Sequence, residues 1–345
     1  MLAKLACTYL NLTLKSPVIV GACSMTLEPE SLRQLVECGA GAIVLPSIFQ
    51  EQIAMQDQPS QDSQQASRHN DTKQEKYNSG PDGYLASIQR IKQLVSIPVI
   101  ASMNGYRDGS WLGFAKNIEA SGADALELNL QPIITGAQQT SDEIETQLCE
   151  MVQTISNSVS IPVAVKLTQR YTNLSNLARR LQSAGAAGVV LFAHEPRWDV
   201  ALERMRWTIH WELTPIESIG TTVAGIVHAR AGGVEISIAA SGGVRSAEDA
   251  IKVMIAGADA AMMTSELYRS GPEAIRKIIR ELERYLETNR FNTLADFQRA
   301  RPTPETRAHQ LVRRDYLDEL TRSNRYDDPT PVATNQTGDR YGHPD

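Results

Sequence analysis

Four stretches of the chain carry side chains suited to chemistry. Lys166 interrupts the apolar run IPVAVKL at 161–167. A cation inside a buried strand needs a partner or a task. It can stabilise a developing anion, form a Schiff base, or make a structural ion pair with Glu127 of a neighbouring strand. Asn129, in ALELNL at 125–130, offers both a donor and an acceptor and so suits the amide-like edge of a ring. In SGGVRSAEDA at 241–250, Gly242 and Gly243 let backbone approach an anion, and Ser246 suits the cap of a following helix. Backbone N–H groups and a helix N-terminus together favour a phosphate, to which Thr264 and Ser265 add hydroxyl and backbone donors. The plainer reading of the glycine pair is a tight strand-to-helix turn. The fourth stretch, His194-Glu195, has the residue types of an acid/base or metal pair. Adjacent residues on extended chain point in opposite directions, so no metal is expected there and His194 reads as an ordinary loop residue.

A repeated pattern positions these groups. ECGAGAIVLPS (37–47), ASGADALELNL (120–130), SAGAAGVVLFA (183–193) and AGADAAMMTS (256–265) each run from a helix end through glycine into a short apolar run. Glycine suits the left-handed position after a helix, and the apolar run suits a buried parallel strand. PVIVGA (17–22), IPVIASM (97–103), IPVAVKL (161–167) and VEISIAAS (234–241) complete eight strands. Helical periodicity is expected near 28–38, 83–95, 109–121, 142–159, 174–184, 215–230, 246–256 and 271–288. Eight alternations predict an α/β fold of the (β/α)8 TIM-barrel class over residues 1–300, with a doubly wound open sheet as the alternative. Barrel sites gather at the C-terminal strand ends. These ends hold Gly21-Ala22, Ser47, Asn104, Asn129, Lys166, Ala193-His194, Gly242-Gly243 and Thr264-Ser265. The tryptophans at 198, 207 and 211 are expected to pack within the segment between strands 6 and 7.

Two regions stand outside the repeat. The polar, glutamine-rich insertion at 51–80 reads as a lid, a partner contact or a solvated loop. The charged, proline-containing tail at 301–345 reads as disordered toward its end. A net charge of −6 argues against nucleic acid as a partner. No run of about 18 apolar residues suggests a membrane span, and no signal-peptide pattern opens the chain, so a cytoplasmic location is expected. Cys7, Cys23, Cys38 and Cys149 lack a CxxC or zinc-like spacing and read as free thiols.

With these residues assembled, the chain resembles the dihydroorotate dehydrogenase family over roughly residues 6–300. The resemblance rests on TYLNLTLKSPVIVGACSMT, ALELNL, IPVAVKL, ASGGVRSAEDAIKVMIAGADAAMMTSELYRSGPEAI and TLADFQ. It implies FMN at the C-terminal mouth of the barrel. Gly21, Ala22, Ser47, Asn104, Asn129, Lys166, Gly242, Gly243, Thr264 and Ser265 are then the cofactor-binding residues, with Lys166 and Asn129 at the reacting ring. It further implies oxidoreduction of a C–C bond in a small planar or cyclic substrate, a link to pyrimidine biosynthesis, a homodimer, and a soluble electron acceptor or a separate subunit. The substrate half departs from the family pattern. Where a serine or cysteine base follows ELN, this chain reads Gln131-Pro132-Ile133-Ile134, so dihydroorotate itself is expected to be a poor substrate. Cys23, Ser24, Tyr106, Thr135, Thr168 and His194 remain as alternative proton acceptors. Two other readings stay open: a flavin-free lyase or aldolase with Lys166 as Schiff-base lysine, and a non-catalytic FMN-binding barrel.

Overall fold

The computed structural model describes residues 2–57, 77–106, 109–131, 136–215, 218–303 and 308–323. Eight parallel strand positions close into a barrel: β3 (Val18–Val20), β4 (Ala42–Val44), β6 (Val99–Gly105), β7 (Ala125–Leu130), β8 (Val163–Leu167), β9 (Gly188–Leu191), β12 (Ser237–Ser241) and β13 (Ala260–Met263). Pairing of β13 with β3 and of β4 with β6 completes the ring. The strands are apolar on both faces because side chains fill the barrel on one side and meet helices on the other; Val18–Val20, Ala42–Val44 and Val163–Leu167 are buried throughout. The open-sheet alternative is thereby excluded.

The second barrel position is split. β4 stops before Pro46, which has no N–H for a ladder, and β5 (Ile48–Phe49) resumes the pairing with β6 at Met103–Asn104. The glycine of each repeat is where sequence placed it: Gly39, Gly122, Gly185 and Gly257 all have φ between 92° and 124°, directly after a helix. That conformation reverses the chain into the next strand at little cost only for glycine.

The helices are α1 (Pro29–Glu37), α2 (Gln50–Asp57), α3 (Gly80–Leu94), α4 (Phe114–Ala120), α5 (Ser141–Ser156), α6 (Leu174–Ser183), α7 (Ile219–Ala231), α8 (Ala247–Ala256), α9 (Ser265–Ser270), α10 (Glu273–Thr288), α11 (Leu294–Arg299) and α12 (Ala308–Ser323). The helix expected over 109–121 begins instead with a 3-10 turn at Ser110–Gly113, and the one expected from 215 starts at Ile219. An N-terminal hairpin, β1 (Cys7–Tyr9) and β2 (Leu12–Leu14), closes the barrel floor. Leu10 at its turn is fully buried, and its N–H donates to Ser237 Oγ at the start of β12 (3.0 Å). A second hairpin, β10 (Arg197–Ala201) and β11 (Arg206–His210), rises between β9 and α7. It overturns one expectation: Trp198, Trp207 and Trp211 are 52%, 67% and 64% exposed rather than packed, because a two-stranded ribbon has no interior of its own.

Met1–Pro302 forms one compact unit and Thr303–Asp345 another, in which α12 is helical. Residues 58–76 of the insertion lie outside the described residues, as do 324–345 of the tail. All four cysteines are free. Among the described residues no helix is long and apolar enough to cross a membrane.

Candidate active site at the barrel mouth

The inner row of the barrel at its C-terminal end is fixed by strand register. Asn104 pairs with Asn129, and Asn129 with Lys166, across β6, β7 and β8. Paired residues of parallel strands face the same side, so the three polar side chains lie in one layer. One layer lower, Ser102 pairs with Glu127. Lys166 Nζ reaches down to Glu127 Oε1 at 3.2 Å, and the two side chains are 11% and 2% exposed. The structural ion pair is therefore present, and Lys166 still lines the cavity above it. Each charge is matched by the other, as burial requires.

That cavity, of about 450 Å3, runs from Ala22 and Lys166 past Gly242 and Gly243 to Thr264 and Ser265. Its volume is in the range of cofactor sites. Gly242 and Gly243 have φ of 97° and 87°. Thr222 of α7 donates to the Gly242 carbonyl at 2.8 Å, fixing the turn. Ser246 caps α8 in a reciprocal box with Asp249. Ser265 Oγ accepts from the Thr214 backbone N–H (3.0 Å) and donates to Thr214 Oγ1 (3.1 Å). Its hydroxyl thus anchors the loop before α7, and only its backbone is left for a ligand.

Other expected residues support the mouth from behind. Ser47 shares a hydrogen bond with Ser102 Oγ at 2.7 Å and is buried. The Gly21 N–H donates to the Met263 carbonyl at 2.9 Å, and a Cβ on Gly21 would strike the Thr264 hydroxyl. Replacing Gly243 by valine is expected to destabilise the fold by about 2–4 kcal/mol, through left-handed backbone strain and a clash. Its Cβ would stand 2.5 Å from the Ile219 backbone nitrogen. Loss of cofactor retention together with a lower Tm checks it.

Four buried side-chain polar atoms have no hydrogen-bond partner among the described residues: Asn129 Oδ1, Ser156 Oγ, Tyr171 Oη and Arg245 Nε. An orphaned buried polar group costs about 1–3 kcal/mol, and two of the four, Asn129 Oδ1 beside Lys166 in strand register and Arg245 Nε on the cavity wall, stand where a ligand could satisfy them. Asn129 Oδ1 wants an N–H donor, as a flavin ring edge supplies. Arg245 lines the glycine-pair end of the cavity, where a phosphate would neutralise its charge. FMN fits this set of residues. Arg245 was missed by sequence reasoning, although its place two residues after the glycine pair is a usable signal.

The proton-acceptor candidates separate. Cys23 is buried, and burial pushes its thiol up to about 11, so it stays protonated. Ser24 is tied to the Tyr268 hydroxyl through both its N–H and Oγ at 3.2 Å. Thr168 is buried. Thr135, like Pro132 to Ile134, lies outside the described residues. His194 lines the cavity, with its ring 5.6 Å from that of Trp211. Partial burial, and then the charge of Lys166, hold its pKa below the usual 6.5, opposed by a backbone hydrogen bond with Glu212. Glu195 also borders the cavity, with its carboxylate paired to Arg170 at 2.6 Å. Gln131 donates to the His194 carbonyl at 3.3 Å. His194 thus forms part of the cavity wall.

A family model described as dihydroorotate dehydrogenase matches residues 4–286. The chain is 25% identical over 292 residues to the dihydroorotate dehydrogenase B (NAD(+)) catalytic subunit of Methanocaldococcus jannaschii, covering 79% of this chain and 90% of that one. The protein of the same description from Methanothermobacter thermautotrophicus is 24% identical over 289 residues, covering 82% and 94%.

Proposed function

Because the chain belongs to the dihydroorotate dehydrogenase family, we propose that it holds FMN at the barrel mouth and oxidises or reduces a C–C bond of a small planar or cyclic substrate. The observation that carries this is that two buried atoms without a hydrogen-bond partner among the described residues stand at the barrel mouth: Asn129 Oδ1, in register with Lys166, and Arg245 Nε, on the cavity that Lys166 also lines. Bound FMN supplies the two-electron chemistry. Gly242, Gly243 and Arg245 hold the phosphate end, Asn129 orients the ring edge, and Lys166 presents a positive charge where the ring gains electron density. His194 accepts or returns the substrate proton at the ring nitrogen left free by the Glu212 backbone, in place of the serine or cysteine absent after ELN.

The Schiff-base alternative is less well supported, because Lys166 is engaged by a buried carboxylate rather than held as a free amine. Electrons leave to a soluble acceptor or a separate subunit, the second suggested by relatives named as catalytic subunits. The purified protein is expected to show oxidised-flavin absorption and to release FMN on denaturation. A colourless protein that takes up no added FMN removes the reading.

His194→Gln is expected to lower turnover about 100-fold, the scale of one general base, without releasing the flavin. The sign of its pH dependence follows from the depressed pKa. The neutral, accepting imidazole persists below pH 6.5, and activity falls only as pH drops through its lower value. That acid limb, read from kcat against pH, should vanish in the variant.

A further inference from the structure

Of the described residues that are buried, two carry a formal charge, Lys166 and Glu127. Their arrangement is directional. Lys166 is in register with Asn129, and Glu127 stands two residues earlier on β7, one layer deeper in the barrel. An ammonium has three N–H donors. One reaches Glu127 Oε1 at 3.2 Å, and another faces the Met262 sulfur at 3.9 Å. A thioether is a weak acceptor, so Met262 steers the ammonium without offsetting its charge. That leaves the third donor for the cavity, which Lys166 and Met262 line and Glu127 does not. The carboxylate therefore acts from behind. Burial, and then the charge of Glu127, push the Tyr9 hydroxyl well above its usual 10. That phenol stays neutral, and Lys166 is the counter-charge of the carboxylate.

We propose that Glu127 is a positioning residue that limits how much of the Lys166 charge reaches the cavity, and thereby sets the electron affinity of FMN held there. This rests on the FMN reading of the cavity. The two charges form a short dipole whose positive end faces the mouth. A cation beside a ring that gains electron density favours the gain. An anion behind that cation subtracts from the effect. It does not cancel it, because it lies farther from the cavity and Coulomb energy falls with distance. The closed interior, with its low dielectric, makes the subtraction larger than it is in water.

The attenuation has a use. A flavoenzyme must take electrons from one molecule and pass them to another, so an unopposed cation that holds them too tightly slows the second step. Glu127 also fixes where the cation stands, since Nζ is tied to its carboxylate on one side and to Met262 on another. Position and strength of the charge are thus set by the same side chain, one that does not itself line the cavity.

Glu127→Gln tests it, because the amide keeps the shape and an acceptor oxygen for Lys166 and removes only the charge. The midpoint potential of FMN bound to the full chain is measured against reference dyes at about pH 6, far below the usual lysine range. The reduction equilibrium of the variant is expected to lie at least about tenfold further toward the reduced side, a rise of about 30 mV for a two-electron couple. Glu127→Asp keeps the charge and draws it back by one methylene. It is expected to shift the equilibrium the same way by about threefold, and it decides the question if the glutamine variant does not fold. Asp259→Ala, at the barrel floor, should leave the potential where it is; a shift of equal size there shows that the potential follows stability and overturns the proposal. An unchanged or lowered potential on loss of the Glu127 charge overturns it too, with the flavin reading intact. A wild-type protein that takes up no FMN removes the flavin reading, and the proposal with it.

Discussion

Replacing Lys166 by methionine is expected to cost about 3–5 kcal/mol of stability, because Glu127 is left as an uncompensated charge inside the barrel. Glu127 is 1% exposed, and its carboxylate sits 3.2 Å from the lysine ammonium. The same change is expected to slow turnover by about 100- to 1,000-fold, the usual scale for one preorganised electrostatic contact to a reacting group. Stability and activity report different things here, and a second variant parts them. Lys166→Met with Glu127→Leu removes both charges and fills the barrel with apolar volume. Such double replacement is often neutral or stabilising, so urea denaturation should recover most of the lost stability. Turnover should stay low, because the positive charge at the mouth is still missing. Recovery of activity along with stability would sink the functional role and leave Lys166 as a structural cation.

The second large effect is expected at the opposite end of the barrel. Asp259 Oδ2 accepts from Arg230 at 2.8 Å and from the Ile238 N–H at 2.9 Å, and Arg301 stands 3.6 Å from its other oxygen. Arg230 in turn donates to the carbonyls of Gly257, Val234 and Ile236 at 2.8–3.0 Å. One carboxylate thereby ties the entries of β12 and β13 to the end of α7. Asp259→Ala strands a mostly buried guanidinium and a strand N–H, at a cost of about 2–4 kcal/mol once the partial exposure of both partners is allowed for. The unfolding midpoint should fall by that amount, whereas FMN affinity of the folded variant should hold, since no member of this network lines the cavity. A loss of FMN affinity larger than the loss of stability would show that the floor and the mouth are coupled.

Several features of the molecule were legible in the chain because they are local. The four Gly-Ala repeats announce helix ends and strand entries, since left-handed backbone singles out glycine wherever it occurs. The eight apolar runs count the strands of the barrel. The SGGVRS turn and the capping serine announce a left-handed glycine pair and a helix start whatever packs around them. That Gln131-Pro132 follows ELN is equally plain, and neither side chain can take a proton from carbon.

What the chain could not disclose depends on residues distant in sequence. Asn104, Asn129 and Lys166 form one row only because strand register aligns them. The Lys166–Glu127 pair, which the sequence offered as one of three readings, is settled only because both side chains point into the same closed barrel. The composition of residues 196–213 is apolar enough to suggest packing, yet these residues pair with each other and stand clear of the core. Arg245 and His194 gain their meaning from an unpartnered Nε and from a neighbouring tryptophan and lysine, none of which a periodicity records. Sequence by itself determined the barrel and the glycine-pair turn at its mouth, through short-range backbone rules and apolar periodicity. Tertiary structure alone decided which charges meet, which polar atoms are left for a ligand and which apolar face is left bare, because those depend on distances that only chain closure sets.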